Sequence, residues 1–395
     1  MISKKMYELG SKRSSIRDLF EYGKERAAIV GKENVFDFSI GNPSVPSPQY
    51  VKDALLEILS DNPASVHGYT SAQGDEKTRQ AIADDLNSRY STTYRAENIF
   101  MTCGAAASLA ITFRALCETP EDEFIAIAPF FPEYKVFVEG SGARFQMVSA
   151  DVEAFQINFE ELEALITKNT KGIIVNSPNN PSGAVYSIET IKTLCALLKR
   201  KSQEFGTDIF IISDEPYREI VYEKEVPNIL DFYDNAIMCY SYSKSLSLPG
   251  ERIGYVLIPD SVRESKSVYA AVAGAARALG YVCAPALFQK MIAKCAGRSS
   301  DIEEYRKNRD FLYGGLTKIG YECVRPDGAF YLFVKAPDKD DKKFSQNAKE
   351  YDILIVPGSD FGCSGYVRVS YCVDADMIKR SLPAFEKLMK EKYNA

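Results

Sequence analysis

The sequence predicts an α/β fold, with a large unit built on a mostly parallel sheet and a smaller α+β unit drawn from both chain ends. Three observations carry this. From about residue 98 onward, short β-branched or aromatic runs alternate with helical patterns, as strands joined by crossover helices do. After residue 260 long helices come first and strands follow, which marks a second unit. The opening residues, 1–40, are too few to bury a core alone and are expected to pack onto that second unit. We place the large unit at 41–275 and the small one at 1–40 plus 276–395.

The elements follow in order. A helix is expected near 14–30 and a strand at Val35 to Ile40. The sheet of the large unit takes its strands from Asn98 to Thr102, Glu123 to Ala128, Arg144 to Ser149, Gly172 to Asn176, Asp208 to Ser213, Ala236 to Ser241 and Ile253 to Ile258. Between them, 187–205 reads as a helix with Ile188, Ile191, Leu194, Cys195 and Leu198 on one buried face, because they recur at helical spacing. Helices over 261–278 and 284–318 come next, then strands at Gly328 to Val334, Asp352 to Val356 and Tyr366 to Tyr371, and a last helix over 374–391. The charge run from Pro337 to Lys343 reads as a solvated loop.

Composition narrows the function. With 46% hydrophobic and 26% charged residues in 395, the chain is expected to be soluble and able to bury a large core. A net charge of -6 argues against a nucleic-acid or anionic-membrane surface. No apolar run reaches membrane-spanning length, and Met1 to Glu8 lacks the apolar stretch of a signal peptide, so a cytoplasmic protein is expected. The nine cysteines form no Cys-x-x-Cys pair and read as reduced core thiols, Cys103 included. A single histidine, His67, leaves no zinc helix and moves acid-base work to lysine, tyrosine or carboxylates; His67 itself reads as a structural or pocket-wall residue.

In an open parallel sheet ligands sit beyond the carboxyl ends of the strands, and the loops there are polar. Ser241 to Gly254 sets Lys244 among small hydroxyl residues with Arg252 eight positions on. A partly desolvated lysine near another cation is a good Schiff-base amine, and Ser241, Ser243 and Arg252 suit a phosphate; read alone, the segment is as well a serine-rich surface loop. Gly104, Ala105 and Ala106 leave backbone N–H groups at a helix start open to an anion, or simply make a tight turn. Asn180, in a proline-stiffened turn, is placed to bond an oxygen on a planar ring. Asp214 would suit a protonated ring nitrogen and Tyr217 a ring hydroxyl, although singly Asp214 could be a helix cap and Asn180 a turn residue.

Together these segments resemble the class I/II aminotransferases of pyridoxal-phosphate fold type I. Asn180-Pro181-Ser182-Gly183, Asp214-x-x-Tyr217, Ser241-x-x-Lys244, Arg252 and Arg368 stand in that family's order and spacing, and the likeness runs from Ser15-Ile16-Arg17 and Gly41-Asn42-Pro43 to near the end. The resemblance implies pyridoxal 5′-phosphate as cofactor, with Lys244 joined to it and moving a proton at the substrate Cα. It implies Asp214 on the pyridine nitrogen, Tyr217 and Asn180 on the phenolic oxygen, and Phe131 stacked on the ring. The phosphate would lie among Gly104, Ala105, Ala106, Ser241 and Arg252, with Tyr69 reaching it from the second subunit of a homodimer. Arg368 would clamp the substrate α-carboxylate, Gly41 would add a backbone N–H, and Arg17 is a candidate for a distal carboxylate, or equally a solvated arginine on the first helix.

The activity implied is amino transfer between an α-amino acid, with aspartate the first candidate, and a 2-oxo acid such as 2-oxoglutarate. A carbon–sulfur β-lyase or an aminocyclopropane-carboxylate-synthase-like enzyme would keep the same cofactor residues. Ala106 stands where some aspartate-specific relatives carry a side chain for the distal carboxylate. A non-catalytic regulator on this fold would need a winged helix-turn-helix ahead of it, for which the front segment is too short and the chain too acidic.

Overall fold

The computed structural model describes residues 2–11 and 15–393. Its thirteen strands fall into three sheets. β1 (Phe36–Asp37) pairs in parallel with β11 (Ile353–Leu354) and so ties the front of the chain to its far end. β2 (Ile99–Thr102), β3 (Glu123–Ile127), β4 (Arg144–Val148), β5 (Thr170–Asn176), β6 (Phe210–Asp214), β7 (Ala236–Ser241) and β8 (Gly254–Leu257) make the large sheet, ordered β2-β8-β7-β6-β5-β3-β4. Only β8 runs against its neighbours, β2 and β7. The last sheet is antiparallel, ordered β12-β13-β10-β9, from β9 (Cys323–Val324), β10 (Tyr331–Lys335), β12 (Val356–Pro357) and β13 (Tyr366–Ser370).

Every residue of β2, β3, β6, β7 and β8 is buried, as expected for strands covered by helices on both faces. The helix Ile188–Phe205 shows how that cover works: Ser187 accepts from the Thr190 N–H to start it, and Gly206 ends it in the left-handed region. Its core face is Ile191, Leu194, Cys195, Leu197 and Leu198, each of the larger ones contributing about 1.5–3 kcal/mol on burial. Ile188, expected on that face, is 47% exposed: it is the first residue of the helix and precedes the buried Thr190 and Ile191.

Four further expectations are corrected. The single helix over 284–318 is two, Ala286–Cys295 and Glu303–Ile319. Gly297 turns left-handed between them, and the freed Ser300 N–H donates to Ser245 O at 2.6 Å, bracing the turn that carries Lys244. The strand expected over Asp352 to Val356 is split at Ile355, since the chain leaves β1 there to pair with β13. The strand expected from Val35 to Ile40 is regular only at β1, although Phe38 still bonds Leu354 O. The charge run is not all solvated: Asp340 caps the helix Asp341–Lys349, and buried Asp341 accepts from the Ser359 and Gly365 N–H groups at 2.7 and 3.2 Å. Of the first helix, Ser15–Val30 is seen as expected, and Ser14 lies outside the described residues. No helix among the described residues is long and apolar enough to cross a membrane.

Candidate functional site

The carboxyl ends of β5, β6 and β7 open into a cavity of about 290 Å³, closed on its far side by Tyr331 and Arg368 of the small sheet. Parallel register sets Asn176 of β5 beside Asp214 of β6. The Asn176 amide donates to Asp214 O at 2.8 Å, and its Oδ1 accepts from the Asn180 N–H at 2.8 Å, so the strand ends fix the turn that carries Asn180. Next to Asp214, Glu215 pairs in full burial with Arg218, which also donates to Tyr90 Oη at 3.1 Å. That pair holds the turn from Asp214 to Tyr217 in one shape. Removing either partner would strand a buried charge, a loss of about 3–5 kcal/mol.

Asp214 is the most unusual group here. Its Oδ2 accepts from Tyr134 Oη at 2.5 Å, while Oδ1 is buried with no partner among the described residues. Burial drives the carboxyl up to about 7, against the lowering effect of the Tyr134 hydrogen bond. Tyr134 also meets Phe131, which lines the cavity, edge to face at 5.7 Å. Tyr217 is buried, with its hydroxyl 2.8 Å from Tyr331 Oη.

Three cations converge on the cavity. Lys244 sits in the one-turn helix Tyr242–Ser245, whose start is capped by Ser241, and its Nζ donates to Gly41 O at 2.6 Å. Burial, with Arg368 and Arg252 adding repulsion, brings the ammonium down to about 8, against an upward pull from Cys372. Arg252 donates to Pro249 O at 2.8 Å and Ser243 Oγ at 3.4 Å. It lies against Gly104, which heads the helix Ala105–Leu116 with φ 87°, a left-handed conformation that favours glycine. Exposed helix N–H groups, the hydroxyls of Ser241 and Ser243 and the Arg252 fork together make an anion cradle. Arg368 is buried; its Nη1 donates to Asn180 Oδ1 at 3.2 Å and its Nη2 to Ser39 O at 2.5 Å, while Nε has no partner.

The structure thus brings together Gly41, Ala105, Ala106, Phe131, Asn180, Asp214, Tyr217, Ser241, Lys244, Arg252 and Arg368, with Gly104 at the cradle's edge. Tyr69, expected to serve the second subunit's site, and Arg17 do not line this chain's cavity. Tyr69 is 94% exposed, and Arg17 is exposed while its neighbour Ile16 lines the cavity. His67 ends the short helix Pro63–His67 and is exposed. Tyr134 and Tyr331 were not singled out from the sequence. Tyr134 stands one helical turn past Phe131 and Tyr331 alternates with Phe333 along a strand, spacings that equally describe packing. A wider cleft of about 830 Å³, between 70–79 and 258–269, contains none of the residues just named.

The family model described as aminotransferase class I and II matches residues 33–385. A solved amino transferase from Eubacterium rectale is 62% identical, superposes with a TM-score of 0.98 and covers all of both chains. The aspartate aminotransferase of Thermotoga maritima is 28% identical over 99% of this chain and 100% of its own, and its solved structure gives a TM-score of 0.87. A probable N-acetyl-LL-diaminopimelate aminotransferase of Bacillus subtilis is 30% identical over 93% of this chain and 92% of its own.

A pH dependence follows for the protein without cofactor. Because the Lys244 ammonium is depressed, its neutral, nucleophilic form accumulates as pH rises through about 8, whereas ordinary lysines reach that point near ~10.4. Trapping an aldehyde on the protein with borohydride and mapping it by mass spectrometry should show Lys244 labelled first, with a midpoint near 8. A Lys244 midpoint among those of the surface lysines would contradict the site's electrostatics.

Proposed function

The chain belongs to the class I and II aminotransferases, and on that premise we propose that its cavity holds pyridoxal 5′-phosphate and passes an amino group between an α-amino acid and a 2-oxo acid. The observation that carries this reading is the unpartnered Asp214 Oδ1, a buried acceptor facing the cavity between an anion cradle and a lysine. A protonated pyridine nitrogen satisfies it. The rest of the donor set fits the same group: Arg252, Ser241, Ser243 and the N–H groups at Gly104, Ala105 and Ala106 suit the phosphate, and Tyr217 and Asn180 the phenolic oxygen. Phe131 covers one ring face.

When bound, the cofactor supplies an electron sink for the pair left at the substrate Cα. The protein's own groups do the remaining work. Lys244 Nζ, brought down to about 8 so that its neutral amine is far more accessible than that of an ordinary lysine, would anchor the cofactor and afterwards take the proton from the substrate Cα and return it on the other side of the transfer. Asp214 keeps the ring nitrogen protonated, which its own carboxyl can do only by staying ionised. Arg368 binds the α-carboxylate in two parallel hydrogen bonds, exchanging Asn180 Oδ1 and Ser39 O for substrate oxygens, and the Gly41 N–H adds a third.

Aspartate with 2-oxoglutarate is the first substrate pair we propose, supported by relatives that carry aspartate in their names. Arg17 is the proposed partner of the distal carboxylate. Tyr69 is proposed to complete the phosphate site of a second copy, a role that suits a nearly fully exposed phenol better than any in its own chain. We place the protein in the cytoplasm, where six buried cysteines would stay reduced.

A panel of amino donors and 2-oxo acids tests the reading. The purified protein should transaminate, and Lys244→Ala should lose both turnover and visible absorption while remaining folded. Arg17→Ala should weaken aspartate and glutamate relative to alanine by about 1.5–3 kcal/mol, the strength of a charge-assisted hydrogen bond. Pyruvate and ammonia formed without an acceptor would instead identify a β-lyase. Equal losses for acidic and neutral donors would leave Arg17 on the helix surface. For the shared site, a Tyr69→Ala protein mixed with Lys244→Ala should regain activity through hybrids carrying one intact site. No recovery, with subunit exchange verified by mass, would remove Tyr69 from the site.

A further inference from the structure

The hydroxyl of Tyr331 stands where the cofactor side and the substrate side of the cavity meet. Tyr331 is buried, begins β10, and lines the cavity. Its Oη lies 2.8 Å from Tyr217 Oη, its ring lies 4.7 Å from the Arg368 guanidinium carbon, and it is edge to face with Tyr217 at 5.7 Å. A side chain at Gly41 would run into the Tyr331 hydroxyl, so this phenol also explains why glycine occupies the position that receives Lys244. Tyr217 is the hydrogen-bond partner of the Tyr331 hydroxyl among the described residues.

We infer that Tyr331 is a positioning residue with two separable parts: its hydroxyl donates to Tyr217, and its ring forms the floor under Arg368. The inference rests on the cofactor reading above. Tyr217 has one proton. If that proton is given to the phenolic oxygen of the cofactor, the 2.8 Å contact between the two hydroxyls can be a hydrogen bond only with Tyr331 Oη as donor. A phenol that accepts one hydrogen bond is a stronger donor of another, so Tyr331 reinforces the bond that holds the cofactor oxygen as an anion. The ring acts differently. Arg368 is buried beside Tyr331 and Phe361, whose faces attract the guanidinium and keep its fork aimed into the cavity.

Two variants separate the parts. Tyr331→Phe keeps the ring and loses the hydroxyl; Tyr331→Leu loses both. The readouts are the pH midpoint of the visible absorption of the lysine-bound cofactor, and the dissociation constant for propionate, a carboxylate without a distal charge. The inference expects the midpoint to rise by about half to one pH unit in both variants, because the anionic oxygen loses support. It expects propionate binding to be unchanged in Tyr331→Phe and weakened about three- to thirtyfold in Tyr331→Leu. An unmoved midpoint in Tyr331→Phe, with the absorption intact, would overturn the hydroxyl's role while leaving the cofactor reading in place. Equal loss of propionate binding in both variants would overturn the separation and mark general loosening of the cavity. A wild-type protein that shows no visible absorption with pyridoxal 5′-phosphate would overturn the cofactor reading itself, and this inference with it.

Discussion

The site depends on a carboxylate that the fold buries and leaves half unsatisfied. Asp214 ends β6 in the middle of the large sheet, and its Oδ2 is taken by Tyr134 while Oδ1 has no partner. An ionised carboxylate in that position is costly without a positive partner, which is why burial drives its proton affinity up to about 7. The cost can be borne because the surroundings are stiff. The Asn176 ladder, the Glu215–Arg218 pair and the Ser300 contact to the Lys244 turn each fix one wall. In the proposed reading, a cationic ring nitrogen relieves the carboxyl, and binding energy that would otherwise be lost to an isolated charge becomes selectivity for a protonated pyridine.

The cations are arranged on the same principle. Lys244, Arg252 and Arg368 share one small cavity, and their mutual repulsion adds to burial in depressing the lysine, the only one of the three that can give up its proton near neutrality. Two fixed positive charges therefore mark where anions go, and the third group gives up its proton at about 8, well below an ordinary lysine. Tyr331 joins the halves, since it touches both Tyr217 and Arg368. It comes from the small sheet, whereas Asp214 ends β6 and Lys244 sits in the one-turn helix just after β7, so the geometry depends on how β10 and β13 are seated against the ends of β6 and β7.

Much of this was legible in the sequence because the signals were local. β7 matches the expected Ala236 to Ser241 at both ends, and the other strands of the large sheet differ by two residues or fewer at each end, since β-branched runs between turn residues leave little freedom. Asn180, Asp214, Lys244, Arg252 and Arg368 were found from motif order and meet in one cavity. Most of what was missed required three dimensions. The break at 296–302 was missed although Gly297 and the Ser299-Ser300-Asp301 run mark it locally; what needed the structure is that its Ser300 N–H braces Ser245, far away in sequence. Asp341 looked like part of a solvated run because nothing local shows that the Ser359 and Gly365 N–H groups will come to it. Tyr134 and Tyr331 have roles defined only by their partners.

The ionisation of Asp214 is the most direct test of the central claim. Its carboxyl can be followed by carbon-detected nuclear magnetic resonance across pH 3 to 9, in the cofactor-free protein and again with pyridoxal 5′-phosphate bound, with Asp214→Asn assigning the signal. The account predicts a midpoint near 7 in the free protein and an ionised carboxylate throughout the neutral range once the cofactor is bound. A free-protein midpoint near the ordinary 3.8, or no change on binding, would contradict it.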